Sequence, residues 1–213
     1  MRLLCHRGYW RKKNEQNSLP ALLKAIYSGH GVETDVRDCD GELVISHDMP
    51  TRLNALTLEA FLQSYIATGK GGLLGLNIKS DGLHHRLLDV LKRFSVENYF
   101  VFDMSVPDTI GYIARAIPFA TRLSEYEDGR WLLEQSNTVW LDAFEREWYS
   151  LDFIVSQLEL GKRVCVVSPE LHKRPHRKLW DELRLIPTSL DQNLHLCTDF
   201  FLEAEEVFDV GRN

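Results

Sequence analysis

Short apolar runs alternate with stretches of helical periodicity along this chain, and this alternation constrains its fold more than any other feature. The clearest helical stretch runs from Leu83 to Phe94, with apolar residues three or four positions apart. Chains that alternate strands and helices in this way form parallel sheets with right-handed crossovers. The runs that we predict as strands are Arg2–Cys5, Gly31–Val36, Leu73–Ile78, Tyr99–Asp103, Pro118–Leu123, Thr138–Asp142, Arg163–Val167 and Leu194–Cys197.

Eight strand–helix units fit a closed barrel. The 213 residues leave about 27 for each unit, and a (β/α)8 barrel needs at least about 200 residues. Ser18, Pro20 and Gly29 lie where the first helix would begin and end. We predict an α/β protein, a (β/α)8 TIM barrel that forms a single domain over residues 1–213. An open, doubly wound sheet is the alternative.

The composition excludes several classes of protein. Hydrophobic residues make up 44% and charged residues 26% of the chain, as in a globular protein and unlike a disordered one. The formal net charge of −6 disfavours nucleic-acid binding, and no apolar run is long enough to cross a bilayer. The four cysteines form no C-x-x-C pair, and no secretion signal precedes them. We therefore expect reduced thiols, no zinc and a cytoplasmic protein without a membrane anchor.

Charged or hydrogen-bonding side chains occur where nearly every predicted strand ends. In parallel barrels, the loops at the carboxyl ends of the strands build the active site. We therefore expect a polar site at that end of the barrel. The residues that this argument brings together are His6, Arg7, Glu33, Asp35, Asn77, Lys79, Asp103, Arg122, Asp142, Glu170 and Asp199.

Glu33 and Asp35 lie two residues apart on a predicted strand, so their side chains face the same side. Two carboxylates on one face repel each other unless a cation or a basic side chain lies between them. Oxygen ligands of this kind are typical of sites for Mg²⁺ or Ca²⁺. A strand end whose carboxylate pairs with Arg37 or Lys79 is the alternative interpretation of the same pattern.

His6 directly follows a predicted strand, and His47 ends the run Val44-Ile45-Ser46-His47. An imidazole titrates near neutral pH and serves as a general acid or base, so two of them indicate acid–base catalysis. A histidine at a strand end is also a common structural hydrogen-bonding group, and the pattern leaves that alternative open.

Taken together, these motifs resemble those of the glycerophosphodiester phosphodiesterase family, which has them in the same order. In that family Glu-x-Lys stands where this chain has Asn77-Ile78-Lys79, and the closing motif is Thr-Asp-x-Pro. The resemblance extends along the chain, and its early motifs are specific as a set. The segments that carry it are His6-Arg7-Gly8, Asn17-Ser18, Glu33-Thr34-Asp35, Asp40-Gly41, His47-Asp48, Asn77-Ile78-Lys79 and Cys197-Thr198-Asp199-Phe200.

The resemblance implies a (β/α)8 barrel that cleaves phosphodiesters with the help of a divalent metal. Its substrate would be a glycerophosphodiester or a phosphodiester linked to a sugar or polyol. The resemblance also implies that His6 and His47 form the acid–base pair. Arg7 and Lys79 would bind phosphate oxygens.

The same resemblance assigns a Mg²⁺ or Ca²⁺ ion to Glu33 and Asp35. Asn77 occupies the position of a third metal-binding carboxylate, and Gln16 that of a glutamate in the family's motif. Because each change removes a negative charge, we expect weaker metal affinity or a more anionic substrate. Asp103 is the candidate that could replace the missing ligand from the next strand.

Asp103, Arg122 and Glu170 are further candidates for binding the substrate or its phosphate, since each follows a predicted strand. Salt bridges across the strand ends are the alternative role for these residues. Two basic clusters, at residues 11–13 and 172–178, are interpreted as solvated loops, with attraction of phosphate as the alternative.

Two other functions are compatible with these motifs. A lyase that resembles the barrel phospholipases would use paired histidines and release a cyclic phosphate. A barrel with weakened catalysis would bind a phosphorylated ligand without turning it over. In all three cases the partner is a small phosphorylated molecule, and no motif identifies its alcohol groups.

Overall fold

The computed structural model describes residues 1–51, 55–69 and 71–208 of the chain. They divide into two compact units. The first unit extends from Cys5 to Phe119, and the second consists of Met1–Leu4 and the residues from Ala120 onward. Strand β1 (Arg2–His6) begins in the second unit and ends in the first. The expectation that residues 1–213 form a single domain stays a prediction.

The first unit is built on the strands β2 (Gly31–Cys39), β3 (Glu42–Ile45), β4 (Leu56–Thr57), β5 (Leu74–Ile78) and β6 (Tyr99–Phe102). Strand β5 is parallel to both of its neighbours, β2 and β6, whereas β3 runs antiparallel to β2 and β4. The register of β2 and β5 sets Glu33 beside Gly75 and Asp35 beside Asn77. This register brings the predicted site residues of the two strands to one place.

The described part of this unit also contains the helices α1 (Leu19–Tyr27), which precedes β2, and α2 (Leu58–Ala67), α3 (His84–Arg93) and α4 (Val106–Ile113), which follow β4, β5 and β6. The hydroxyls of Ser18, Thr57 and Ser105 cap α1, α2 and α4, because each accepts a hydrogen bond from the first helical turn. The predicted start of the first helix at Ser18 is confirmed. Helix α3 begins after Leu83, and Asp81-Gly82 form the turn that precedes it.

The second unit contains the parallel strands β7 (Ala120–Leu123), β8 (Thr138–Leu141), β9 (Arg163–Val167) and β10 (Leu194–Thr198), which pair in chain order. Helices α5 (Leu151–Glu159), α6 (Arg177–Leu183) and α7 (Phe201–Phe208) pack on them. Trp180 of α6 is fully buried, and its indole Nε1 donates to the Ser168 hydroxyl at 2.8 Å. The core around it includes Leu123, Val139, Leu141, Ile154, Leu158, Val164, Val166, Leu179, Leu183, Leu194, Leu196 and Ala204.

One predicted strand–helix unit lacks its helix. Between β7 and β8 the chain makes only a 3₁₀ turn, Arg130–Leu132. The apolar residues of this segment, Trp131, Leu132 and Leu133, are consecutive, so they do not form the stripe that an amphipathic helix buries. The prediction of a helix after every strand is therefore wrong at this position.

Two short strands, β3 and β4, were not among the predicted ones. Strand β2 continues to Cys39 because it pairs with β3 across a tight turn. Asp40 (φ 48°) and Gly41 (φ 83°) form that turn with left-handed backbone angles, which is typical of a two-residue hairpin loop. Among the described residues, the structure contains no helix long and apolar enough to cross a membrane.

Candidate active site

The turn after β1 brings Arg7 beside β2. Arg7 (φ 56°) and Gly8 (φ 95°) both adopt left-handed backbone angles. The Arg7 N–H donates to the Glu33 carbonyl at 2.9 Å, and the Arg7 carbonyl accepts from the Asn17 N–H at 2.9 Å. A Cβ at position 8 would lie 2.7 Å from the backbone of Ala21. The close approach of this turn to α1 therefore requires glycine.

Asp35 has a completely buried side chain, and two cations and one amide contact its carboxylate. Arg7 Nε lies 3.0 Å from Oδ2, and Lys79 Nζ lies 3.5 Å from Oδ1. The Asn17 amide Nδ2 donates to Oδ2 at 2.8 Å, while the Asn17 Oδ1 accepts from the Thr34 hydroxyl at 2.8 Å. These contacts offset the cost of burying the Asp35 charge, and they fix the positions of both cations.

Glu33 is the second buried carboxylate of β2. Its Oε2 accepts a hydrogen bond from the backbone N–H of Arg7 at 3.3 Å and lies 3.9 Å from Nε2 of His6. Burial, and after it the charge of Asp35, raise the pKa of Glu33 to about 7, although His6, Arg7 and Lys79 act in the opposite direction. Near neutral pH, Glu33 is therefore divided between its protonated and ionised forms.

Asn77 and Lys79 extend the site from β5. Asn77 pairs in register with Asp35, and its Oδ1 is buried without a hydrogen-bond donor among the described residues. Lys79 Nζ contacts a second carboxylate, that of Asp103, whose Oδ2 lies 3.4 Å away. Asp103 follows β6 in a left-handed conformation (φ 72°). Sequence-predicted residues from β2, β5 and the end of β6 thus lie in contact with one another.

His47 follows β3 and lines a cavity of about 740 Å³ together with Arg7. Its Nδ1 lies 2.8 Å from Oδ1 of Asp48, and its carbonyl accepts from Arg37 Nη1 at 2.9 Å. The hydrogen bond with His47 lowers the pKa of the Asp48 carboxyl. An ionised carboxylate only accepts hydrogen bonds, so we assign the proton of the neutral ring to Nδ1, which leaves Nε2 as an acceptor.

The oxygen atoms of this site suit a hard divalent cation. The buried Oδ1 of Asn77 accepts no hydrogen bond from the described residues, and Oδ1 of Asp35 accepts none either, although the Lys79 ammonium lies 3.5 Å from it. Glu33 adds a second carboxylate. Mg²⁺ and Ca²⁺ prefer such ligands. Across residues 1–51, 55–69 and 71–208, no group of three or more His, Cys, Asp or Glu residues could hold a metal ion. The candidate ligand set therefore consists of two carboxylates and one amide.

Arg122 and Glu170, both predicted to bind substrate, lie in the second unit. Arg122 Nε contacts the Glu127 carboxylate at 2.5 Å. Glu170 Oε1 accepts from the Thr198 hydroxyl at 2.5 Å and from the Asp199 N–H at 3.1 Å. Each side chain thus has a partner within its own unit, and its part in substrate binding stays a prediction.

Other polar residues at the strand ends of the second unit also have local partners. Burial acts to raise the pKa of Glu125, but hydrogen bonds from three backbone N–H groups, those of residues 144 to 146, outweigh it and lower the pKa to about 2. This carboxylate therefore holds a loop in place. His172 Nε2 lies 2.6 Å from Asp142 Oδ1, so this histidine, like His47, contacts an aspartate.

Asn17 is the side chain of the site whose role the sequence did not reveal. It bonds to Asp35, a residue 18 positions further along the chain, from the segment just before α1. The sequence offers the Asn17-Ser18 motif and the residue type itself, since asparagine adopts left-handed backbone angles more readily than most residues, as Asn17 does here (φ 58°). Such a signal predicts a turn and gives no indication of a bond to a distant strand.

This chain is similar in fold to several proteins of known structure. No protein-family model matches the chain, and no curated protein matches its sequence. A glycerophosphodiester phosphodiesterase from Parabacteroides distasonis is 19% identical, with a TM-score of 0.73, and the match covers 98% of this chain and 96% of that one. A glycerophosphodiester phosphodiesterase from Agrobacterium tumefaciens is 16% identical, with a TM-score of 0.71, and the match covers 100% of this chain and 99% of that one.

A third similar structure is a phosphodiesterase from Oleispira antarctica in complex with its product sn-glycerol-3-phosphate. It is 16% identical to this chain, with a TM-score of 0.70, and the match covers 98% of this chain and 97% of that one. The glycerophosphodiester phosphodiesterases among these structures are (β/α)8 barrels. The predicted (β/α)8 TIM barrel fold of this chain is thereby confirmed.

Proposed function

We propose that this chain is a phosphodiester hydrolase that acts with a divalent metal on glycerophosphodiesters or on sugar- or polyol-linked phosphodiesters. The observation that carries the proposal is the contact of two cations, Arg7 and Lys79, with the buried carboxylate of Asp35. Arg7 also lines the cavity that His47 lines. The likeness in fold to glycerophosphodiester phosphodiesterases supports this assignment.

Arg7 and Lys79 bind the phosphate group in this proposal. The guanidinium uses its Nε toward Asp35, so its remaining N–H groups are available for phosphoryl oxygens. Charge-assisted hydrogen bonds of this kind stabilise the negative charge that develops during phosphoryl transfer. Because Asp35, which is itself held by the Asn17 amide, already fixes the guanidinium, little reorganisation is needed when the substrate binds.

His47 is the general base of the proposed reaction. Its Nδ1 is bonded to Asp48, so the lone pair of the neutral ring lies on Nε2, where it accepts a proton from the attacking hydroxyl or water. His6 is then the acid that protonates the leaving alcohol. Its Nε2 lies 3.9 Å from Oε2 of Glu33, which places the ring among the residues of the proposed site.

Glu33, Asp35 and Asn77 are the residues that would hold the metal. A bound divalent cation would polarise a phosphoryl oxygen and lower the barrier to attack on phosphorus. The Oδ1 of Asn77 accepts no hydrogen bond from the described residues and could bind the ion, but the amide carries no negative charge. Asn77→Asp restores a carboxylate of nearly the same shape at this position.

We expect Asn77→Asp to bind Mg²⁺ or Ca²⁺ at least about tenfold more tightly than the wild type, as measured by calorimetry, because hard cations favour charged oxygen ligands. Asn98→Asp, at a position whose side chain donates to the Gly71 carbonyl away from the site, is the matched control. Equal metal affinity of wild type and Asn77→Asp would exclude Asn77 from the ligand set.

The proposed activity is tested by ³¹P NMR of the protein with glycerophosphocholine, glycerophosphoglycerol and an activated aryl diester. Each reaction is run with chelator, Mg²⁺, Ca²⁺ or Mn²⁺. We expect phosphate monoester to form from at least one diester when a metal is present, and none with chelator. Accumulation of a cyclic phosphate would instead identify a lyase. Absence of any product under all conditions would contradict the proposal.

A further inference from the structure

We propose that Lys13 binds a second anionic group of the substrate, so that the chain prefers phosphodiesters whose alcohol carries a carboxylate or a further phosphate. This inference rests on the proposed function and specifies its substrate class. It follows from the position, the surroundings and the unpaired charge of Lys13 at the cavity that Arg7 and His47 also line.

Lys13 belongs to the 3₁₀ turn Lys13–Glu15, which follows the Arg7 turn. The Asn17 N–H bonds to the Arg7 carbonyl at 2.9 Å, so this loop is joined to the phosphate-binding segment. Within the loop, the Glu15 N–H bonds to the Lys12 carbonyl at 2.8 Å. The backbone that carries Lys13 is thus held next to Arg7 and does not depend on a bound ligand for its shape.

The acidic residues nearby do not neutralise Lys13. Glu15 turns its carboxylate to the backbone N–H groups of Arg11 and Lys12, at 2.8 and 3.3 Å, and these bonds lower the pKa of Glu15. Asp48, which lines the cavity, is hydrogen-bonded to His47 at 2.8 Å. Within the described parts of the chain, the Lys13 ammonium forms no ion pair, which leaves its charge available to a ligand.

The cavity is large enough for more than a phosphate group. Its volume of about 740 Å³ lies in the range of pockets that enclose whole small molecules. Asn14 and Gln16 also line it, and their side chains form no hydrogen bond with the residues that the structure describes. A polar alcohol with a negative group would therefore find amide donors and one free cation along this wall.

Glycerophosphoserine and glycerophosphoethanolamine are the matched probes, because they differ only by a carboxylate on the alcohol. We expect the wild type to favour glycerophosphoserine about fivefold in kcat/KM, the size of effect typical of a solvent-exposed ion pair. Lys13→Gln should abolish this preference while leaving turnover of glycerophosphoethanolamine within about twofold. Lys12→Gln, at an exposed lysine that does not line the cavity, should keep the preference.

A wild type without preference between the two diesters would overturn the inference, as would a preference that survives Lys13→Gln. Either result leaves the proposed hydrolase activity intact. If neither diester nor the activated aryl diester is turned over, the proposed function fails instead. The dissociation constants of the two glycerophosphodiesters, measured by calorimetry on wild type and Lys13→Gln, then decide the role of Lys13 independently of turnover.

Discussion

Replacing Glu33 by glutamine isolates the electrostatics of the site, because the amide keeps the shape of the side chain and removes its charge. The pKa of Glu33 rises from 4.5 to about 7 on folding, through burial and then through the charge of Asp35. This shift corresponds to about 3 kcal/mol, at about 1.4 kcal/mol for each pKa unit. Since the folded protein binds this proton more tightly, the stability that it gives is complete below pH 4.5 and is lost as the pH rises through about 7.

We therefore expect the wild type to lose about 3 kcal/mol of unfolding free energy relative to Glu33→Gln between about pH 4.5 and about pH 8. Urea titrations with chelator present measure this difference across the pH range. Glu97→Gln, at an exposed glutamate of the same unit, is the control and should change stability by less than about 0.5 kcal/mol. A difference between wild type and Glu33→Gln that does not vary with pH would refute the reasoning.

Two further pairs of substitutions test the packing of the first unit. Gly8→Ala should cost at least about 2 kcal/mol, because φ is +95° and the new Cβ would lie 2.7 Å from the backbone of α1. Gly29→Ala, with φ +85° and no atom within 4 Å, should cost less, and equal losses in urea titrations would refute the proposed clash. Tyr112→Phe should preserve stability or raise it by up to about 1 kcal/mol, since the buried hydroxyl has no hydrogen-bond partner among the described residues. Tyr65→Phe loses a 2.7 Å hydrogen bond and should be destabilised by about 1 kcal/mol, so the same loss in both variants would contradict this account.

Most of the fold could be predicted from the alternation of strands and helices. Buried parallel strands read as short continuous apolar runs, and those such as Arg163–Val167 coincide with the observed strand. The β2–β3 hairpin is not among the predicted strand pairs, although Asp40-Gly41 is a strong signal for a two-residue turn between strands. The helix expected after β7 fails for lack of an apolar stripe in its segment.

The candidate site was predictable only where regular geometry applies. The alternation of side chains along a strand predicts that Glu33 and Asp35 share one face. The resemblance to a family supplied Asn77, which pairs in register with Asp35 in the structure. The contacts of Arg7 and Asn17 with Asp35 depend on left-handed turns, which no periodicity in the sequence reveals. The partners of Arg122 and Glu170 likewise depend on loop conformations.

The central claim is that His47 acts as the base at the cavity where Arg7 binds phosphate, and two matched histidine variants test it most directly. His47 and His172 each contact an aspartate, at 2.8 and 2.6 Å, but only His47 belongs to the proposed site. We expect His47→Gln to lower kcat/KM for the best diester at least about 100-fold, and His172→Gln to change it by less than about threefold. Activity of His47→Gln within about tenfold of the wild type, or an equal loss in both variants, would contradict the account.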